Sequence, residues 1–76
     1  MVSEINALQE IGSCIKAIRN DYGLSLRDVA EKAGITHQSL NMIENGKCNT
    51  GINNLFKIAR ALDCEIVIKK REDSTN

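Results

Sequence analysis

Proline and tryptophan are both absent from this 76-residue chain, which contains one phenylalanine and one tyrosine. With so few aromatic side chains, the core has to be built from Ile, Leu, Val and Ala. The lack of proline, together with glycines that occur singly, excludes a linker or a low-complexity segment. We therefore expect one small domain. A chain of this length buries roughly 60% of its unfolded surface, so it is only marginally stable unless it associates.

The sequence also lacks an apolar run long enough to span a membrane, and its first residues, MVSEINALQEIG, lack the basic start of a signal peptide. The three cysteines, Cys14, Cys48 and Cys64, lie far apart and have no C-x-x-C spacing. We therefore expect a cytoplasmic protein with reduced thiols, no metal site, no cofactor and no membrane partner.

Two short helices joined at Gly34 are predicted within residues 26–44. Apolar residues recur at helical spacing on both sides of this glycine: Val29, Ala30 and Ala33 before it, Ile35, Leu40 and Ile43 after it. Ser25, with Asp28 three residues on, forms a capping-box pattern, and Thr36 can cap the second helix. Gly34 suits the left-handed residue that ends the first helix. Two such helices at a steep angle form a helix-turn-helix, whose second helix can lie in a DNA major groove.

Apolar periodicity predicts two further helices, at residues 4–21 and 52–62. The two helices joined at Gly34 cover residues 26–33 and a second range that begins at residue 36 or 37 and ends at residue 44. The predicted apolar stripe of the first helix consists of Leu8, Ile11, Ile15, Ile18 and Tyr22. The residues predicted to face inward from the last helix are Leu55, Phe56, Ile58, Ala59 and Leu62.

After residue 62 the apolar period changes from helical to two, because Cys64, Ile66 and Ile68 alternate along the chain. This pattern predicts a strand, in which Cys64 is a packing residue. No other segment resembles a strand, so this one has nothing within the chain to pair with. We predict that it pairs with the same segment of a second copy, through Cys64, Ile66, Val67 and Ile68. The alternative is that the apolar stripe packs on the chain's own helices.

These segments divide the chain into four parts. Residues 1–10 extend helix one, residues 11–62 form the helix-turn-helix domain, residues 63–70 form the dimerising strand and residues 71–76 are a disordered tail.

The charge balance, ten acidic and ten basic residues, argues against DNA as a partner but does not exclude it. A neutral protein should bind weakly to random DNA and depend on dimerisation for its affinity. The only histidine, His37, has no Cys, Asp or second His at ligand spacing, which favours a DNA contact over a metal or catalytic role. No nucleophile–base pair or phosphate loop stands out. We therefore expect neither an enzyme nor a small-molecule substrate.

The pattern I-x3-I-x2-IR-x4-L-x-L-x-x-VA-x-x-AGI-x4-L-x-x-IENGK, closed by LFKIARAL, resembles the Cro/repressor-type helix-turn-helix domain of the XRE family of transcriptional regulators. The match covers residues 11–62, and the IENGK element is its most specific part. The family implies an all-α, lambda-repressor-like fold of four to five helices, with operator DNA as ligand. The final CEIVIKK is similar to HipB-like antitoxins, which carry a dimerising strand after the same type of helix.

The resemblance also implies roles for particular residues. Arg19 and Glu44 should pair, and their apolar neighbours place both near the core boundary. The residues at positions where the family contacts bases are Thr36, His37, Gln38, Asn41 and Met42. The residues assigned to the DNA backbone are Ser25, Arg27, Ser39, Asn45 and Lys47.

This sequence departs from the family pattern at two places. The loop before helix four has Cys48-Asn49-Thr50-Gly51 in place of a proline and a capping Ser or Thr. Met42 stands where a polar side chain is common, so a base contact there would be apolar.

Two functions follow as hypotheses. The first is a homodimeric, sequence-specific regulator of transcription, most simply a repressor, that binds double-stranded DNA at an inverted repeat. Its half-site centres would lie about one helical turn apart, roughly 34–36 Å, or farther apart in a HipB-like arrangement of the dimer. The alternative is an antitoxin that binds a toxin protein and autoregulates its operon through the same DNA-binding surface.

Overall fold

The computed structural model describes the backbone of residues 4–68 and 70, with side chains from residue 7 onward. It contains four helices within that part of the chain: α1 (Glu4–Asp21), α2 (Leu26–Ala33), α3 (His37–Glu44) and α4 (Ile52–Ala61). The predicted all-α architecture is confirmed, and α4 ends one residue before its predicted limit. The tail predicted to be disordered, residues 71–76, lies outside the described residues.

Local side-chain chemistry sets the beginnings of α2 and α3. The Ser25 hydroxyl accepts a hydrogen bond from the Asp28 N–H, and the Asp28 carboxylate accepts one from the Ser25 N–H, both at 3.0 Å. This reciprocal pair is the predicted capping box, which satisfies two N–H groups that the helix itself leaves free. The Thr36 hydroxyl accepts from the Ser39 N–H at 3.0 Å and caps α3.

The core lies between α2, α3 and α4, while α1 packs chiefly on α3. Its buried residues are aliphatic, as the composition predicts: Val29, Ala30, Ala33, Leu40, Ile43, Ile58 and Leu62. Cys64 is half-buried against this core, as expected for a packing residue.

Three apolar residues predicted to face the core are exposed instead. Tyr22 is 55% exposed, Phe56 is 50% exposed and Ile11 is 41% exposed. Because α1 packs on α3 and α4 packs on α2, nothing within the described part of the chain covers the outer parts of these apolar stripes.

The C-terminal segment forms no strand over residues 64–68. A strand requires a hydrogen-bonded neighbour, and the other described segments are helices and their connecting loops. The predicted strand is therefore not seen in the single chain. Val67 is 65% exposed and Ile68 is 95% exposed.

None of the helices in residues 4–68 is long and apolar enough to cross a membrane.

Candidate nucleic-acid interface

The turn between α2 and α3 fixes how α3 stands on the molecule. Gly34 ends α2 in the left-handed conformation at φ 76°, where a side chain would be strained. The next N–H, that of Ile35, donates to the Ala30 carbonyl at 3.0 Å, which closes the turn. Val29 and Leu40 are fully buried where the two helices pack together. This is the helix-turn-helix geometry that the sequence predicts.

Burial divides α3 into two faces. The side that packs on the core consists of Leu40, Ile43 and Glu44. The side that is exposed to solvent consists of His37, Gln38, Asn41 and Met42. The structure therefore brings four of the five residues predicted to contact bases onto one solvent-facing surface. We call this surface the α3 outer face.

The fifth, Thr36, has its hydroxyl engaged in the helix cap. It accepts from the Ser39 N–H and also donates to the Ser39 hydroxyl oxygen at 2.9 Å. Its remaining surface for a base is chiefly the methyl group. The Ser39 hydroxyl keeps its own proton to donate, which suits its predicted contact with phosphate.

The residues assigned to the DNA backbone lie at the ends of α2 and α3. Ser25 is the N-cap of α2, and Arg27 and Lys47 are exposed. Asn45 differs, because its side-chain amide donates to the carbonyl oxygen of Asn41 at 2.9 Å and to the Asn41 side-chain oxygen at 3.2 Å. To donate to a phosphate, Asn45 has to give up at least one of these bonds.

An ion pair holds the far end of α3 to α1. The Arg19 guanidinium donates to both carboxylate oxygens of Glu44, from Nε at 2.7 Å and from Nη2 at 3.0 Å. Its Nη1 donates to the Leu24 carbonyl at 2.8 Å, which adds the loop before α2 to the same network. The hydrogen bonds to Glu44 raise the pKa of Arg19 above its ordinary value. The predicted pair is thus present, bidentate and buried.

A close approach of α1 to α3 at Gly12 was missed at the level of sequence. A Cβ atom built on Gly12 would collide with the Ile43 carbonyl oxygen and lie 2.6 Å from that of Glu44. Only glycine therefore fits where α1 crosses the last turn of α3. A sequence signal existed, because a lone glycine inside a helical pattern costs about 1 kcal/mol against alanine and so implies a packing reason.

The charges around the two helices are mixed. Arg27 and Lys32 lie exposed on α2 together with Asp28 and Glu31. The Ser25 N–H donates a hydrogen bond to the Asp28 carboxylate, and this bond is the largest cause of the lowered pKa of Asp28. The Ser25 hydroxyl is the second cause and lowers the pKa of Asp28 further. Asp28 is therefore charged at neutral pH and offsets part of the positive charge of α2.

A second surface lies away from the α3 outer face, where α1, α4 and the C-terminal segment meet. They enclose an apolar groove of about 330 Å³. Among the residues that line it are Ile11, Cys14, Leu55, Cys64, Ile66 and Val67. Three of the four residues predicted at the dimer interface thus border one groove, and the fourth, Ile68, projects into solvent.

The three cysteines are free thiols. Within the described part of the chain, no group of three His, Cys, Asp or Glu side chains is arranged to hold a metal ion.

Comparison with known proteins places the chain among others of this architecture. A family model described as helix-turn-helix matches residues 15–68. An uncharacterized HTH-type transcriptional regulator of Sinorhizobium fredii is 31% identical over 64 residues, which make up 84% of this chain and 33% of that protein. The HTH-type transcriptional regulator SinR of Bacillus subtilis is 40% identical over 57 residues, 74% of this chain and 51% of SinR. The chain thus spans about a third of the Sinorhizobium fredii regulator and about half of SinR.

A solved structure is similar over most of both chains. The crystal structure of the restriction-modification controller protein C.AhdI from Aeromonas hydrophila superposes with a TM-score of 0.76 at 30% identity, over 78% of this chain and 89% of C.AhdI. The likeness of the C-terminal segment to HipB-like antitoxins stays a prediction. The family match covers most of the chain, and the chain therefore belongs to the XRE-type helix-turn-helix family.

Proposed function

We propose that this protein is a sequence-specific DNA-binding regulator of transcription, most simply a repressor, that acts as a homodimer. The observation that carries the proposal is the α3 outer face, on which His37, Gln38, Asn41 and Met42 are all exposed while the opposite side of the helix is buried. The relatives named above support it, because two are described as transcriptional regulators and one as a controller protein.

In this proposal α3 lies in the major groove and its outer face contacts the base edges. The Gln38 amide can donate and accept at once, as the N6/N7 edge of adenine requires. The Asn41 side-chain oxygen accepts one hydrogen bond from the Asn45 amide and keeps a second lone pair, while its NH₂ group can donate to a base or a phosphate. His37, in the first turn, contacts a base or a phosphate.

The backbone contacts position the helix and carry no sequence information. We assign this role to Ser25, Arg27, Ser39, Asn45 and Lys47. Because the chain has no net charge, attraction to random DNA is weak, and the affinity depends on base contacts and on two chains binding together. A bound dimer would repress by occupying DNA that other proteins need.

The test is a selection of genomic fragments bound by the purified protein, followed by titration of the preferred site and of random DNA. Gln38→Ala should lose on the order of 1–3 kcal/mol on the preferred site and little on random DNA. Absence of any preferred fragment would refute the proposal. An equal loss on both DNAs would remove Gln38 from the residues that contact bases.

We place the dimer interface at the C-terminal segment, through Cys64, Ile66, Val67 and Ile68. Support comes from the exposure of Val67 and Ile68 together with the adjacent apolar groove, since each leaves apolar surface in water in the single chain. Pairing of two such segments would supply the backbone partners that each one lacks.

Val67→Pro tests this interface, because proline removes a backbone donor and distorts a ladder. The unmodified protein should sediment as a dimer at micromolar concentration and the variant as a monomer. Val67→Thr, which keeps the backbone N–H and the β-branched shape, is the matched control. A monomeric unmodified protein would refute the interface and favour a different protein partner for this surface, as the antitoxin hypothesis expects.

A two-fold dimer requires a two-fold site, so the preferred DNA should be an inverted repeat. Inserting five base pairs between the half-sites places them on opposite faces of the DNA. Binding should then collapse to that of one half-site. Undiminished affinity would mean that the two chains do not bind as a fixed symmetric pair.

A further inference from the structure

Met42 is the one large apolar side chain on the α3 outer face. It is 45% exposed, and it belongs neither to the buried core nor to the apolar side chains packed against that core. Its neighbours on this face, His37, Gln38 and Asn41, are polar. Packing on the core therefore does not account for a methionine at this position.

The position of Met42 on the helix makes it one of the two most outward residues. At about 100° per residue, Gln38 and Met42 lie about 160° and 200° around α3 from Leu40, which is fully buried. They stand one turn apart along α3 and about 40° apart around it. A surface that meets the outer face of α3 squarely therefore meets Gln38 and Met42 first.

A thioether offers a DNA base almost nothing but apolar contact, because its sulfur is only a weak acceptor and it has no donor. In the major groove, the one apolar group that distinguishes the four base pairs is the C5-methyl of thymine. Met is also long and flexible, so it can adapt to a methyl group that projects from the base edge.

We propose that Met42 is a specificity-determining residue that selects thymine through its C5-methyl group. This inference rests on the proposed DNA-binding function and adds the chemical feature that is recognised. Gln38, one turn away, can contact the N6/N7 edge of adenine, and Met42 can contact the methyl group of thymine. Together, these two side chains suit A·T base pairs. A 5-methylcytosine presents the same methyl group at the same place in the groove.

Replacing thymine by uracil tests the inference, because it removes only the methyl and keeps the pairing and the O4 acceptor. The preferred site from the genomic selection is synthesised with one thymine at a time changed to uracil, symmetrically in both half-sites. At one position, the change from thymine to uracil in both half-sites should weaken binding by roughly 15-fold. That is about fourfold per half-site, or about 0.8 kcal/mol, the value of one buried methylene-sized group. Cytosine and 5-methylcytosine at that position should differ by the same factor.

Two variants separate Met42 from other sources of methyl sensitivity. Met42→Ala shortens the side chain, and its affinities for the thymine and uracil sites should become equal. Met42→Leu keeps an apolar side chain of similar volume and should retain most of the difference. Because Met42 is exposed and outside the core, both variants should keep the circular dichroism spectrum of the unmodified protein.

The outcomes are distinct. Equal affinity of the unmodified protein for every thymine and uracil site would overturn the inference and leave DNA binding intact. Loss of affinity with uracil at that same position would also overturn the inference if it persisted in Met42→Ala, because another residue would then contact the methyl group. Failure to bind any DNA site preferentially would overturn the proposed function itself.

Discussion

Replacing Gly12 by alanine should destabilise the protein, although the same change stabilises most helices. In the interior of a helix, alanine is favoured over glycine by about 1 kcal/mol. Gly12 lies within α1, where the new methyl group would meet backbone rather than solvent. It would collide with the Ile43 carbonyl oxygen and approach that of Glu44 to 2.6 Å. Neither carbonyl can turn away like a flexible side chain, because both belong to the last turn of α3.

The size of the effect follows from two opposing contributions. Forcing an extra carbon into a packed site costs about 1–3 kcal/mol, and a collision with two backbone atoms belongs at the upper end of that range. After the gain of about 1 kcal/mol in helix propensity, the net loss is about 2 kcal/mol. For a domain of this size the melting temperature should fall by about 8–16 °C.

Urea and thermal unfolding followed by circular dichroism measure this loss, at one fixed protein concentration because the proposed dimerisation would contribute to stability. Ser13→Ala is the matched control, since Ser13 is the next residue of α1 and is exposed. It should change the free energy of unfolding by no more than about 0.5 kcal/mol. If Gly12→Ala is as stable as the unmodified protein, α1 and α3 do not approach each other as described.

Three other predictions follow from the contacts of α2 and α3. Glu44→Gln leaves the Arg19 guanidinium buried without its counter-charge and should lower the free energy of unfolding by about 3 kcal/mol, whereas replacing both by methionine should lower it less. The lowered pKa of Asp28 means that its carboxylate stabilises the folded state above the unfolded value of 3.8, and this contribution is lost as the pH falls through the lower folded pKa. The difference in unfolding free energy between the unmodified protein and Asp28→Asn should therefore narrow as the pH falls below that value. Lys47→Ala should weaken binding to preferred and random DNA alike and reduce the salt slope by about one, and an unchanged slope would remove Lys47 from the phosphate contacts.

The sequence predicts α2 and α3 well because their limits depend on local chemistry. Ser25, Asp28 and Thr36 form their capping bonds within three residues, and Gly34 adopts the conformation that its lack of a side chain permits. The exposed face of α3 follows from the same helical spacing. For these elements, nothing distant along the chain has to be known.

Features that depend on distant partners were missed or misplaced. Periodicity assigns Phe56 and Tyr22 to an apolar stripe, but it does not say how much of that stripe another helix covers, and both are half exposed. The need for Gly12 depends on where the carbonyl groups of α3 lie, far along the chain. One local feature was missed as well, because the bonds of the Asn45 amide to Asn41 depend on rotamers that no sequence pattern specifies. The alternation after residue 62 predicts a strand, but no described segment of the chain pairs with it.

The contacts that anchor α3 are separate from the side chains on its outer face. Gly12 and the Arg19–Glu44 pair hold the last turn of α3 against α1, and Leu40 and Ile43 hold the helix against the core. None of these contacts involves the side chains at positions 37, 38, 41 or 42. Under the proposed function, the side chains at those four positions can be exchanged without disturbing the contacts that hold α3 in place. Substitutions there redirect the protein to new operators while the scaffold stays the same, so duplicated copies of such a gene can diverge in their targets without first acquiring a new fold.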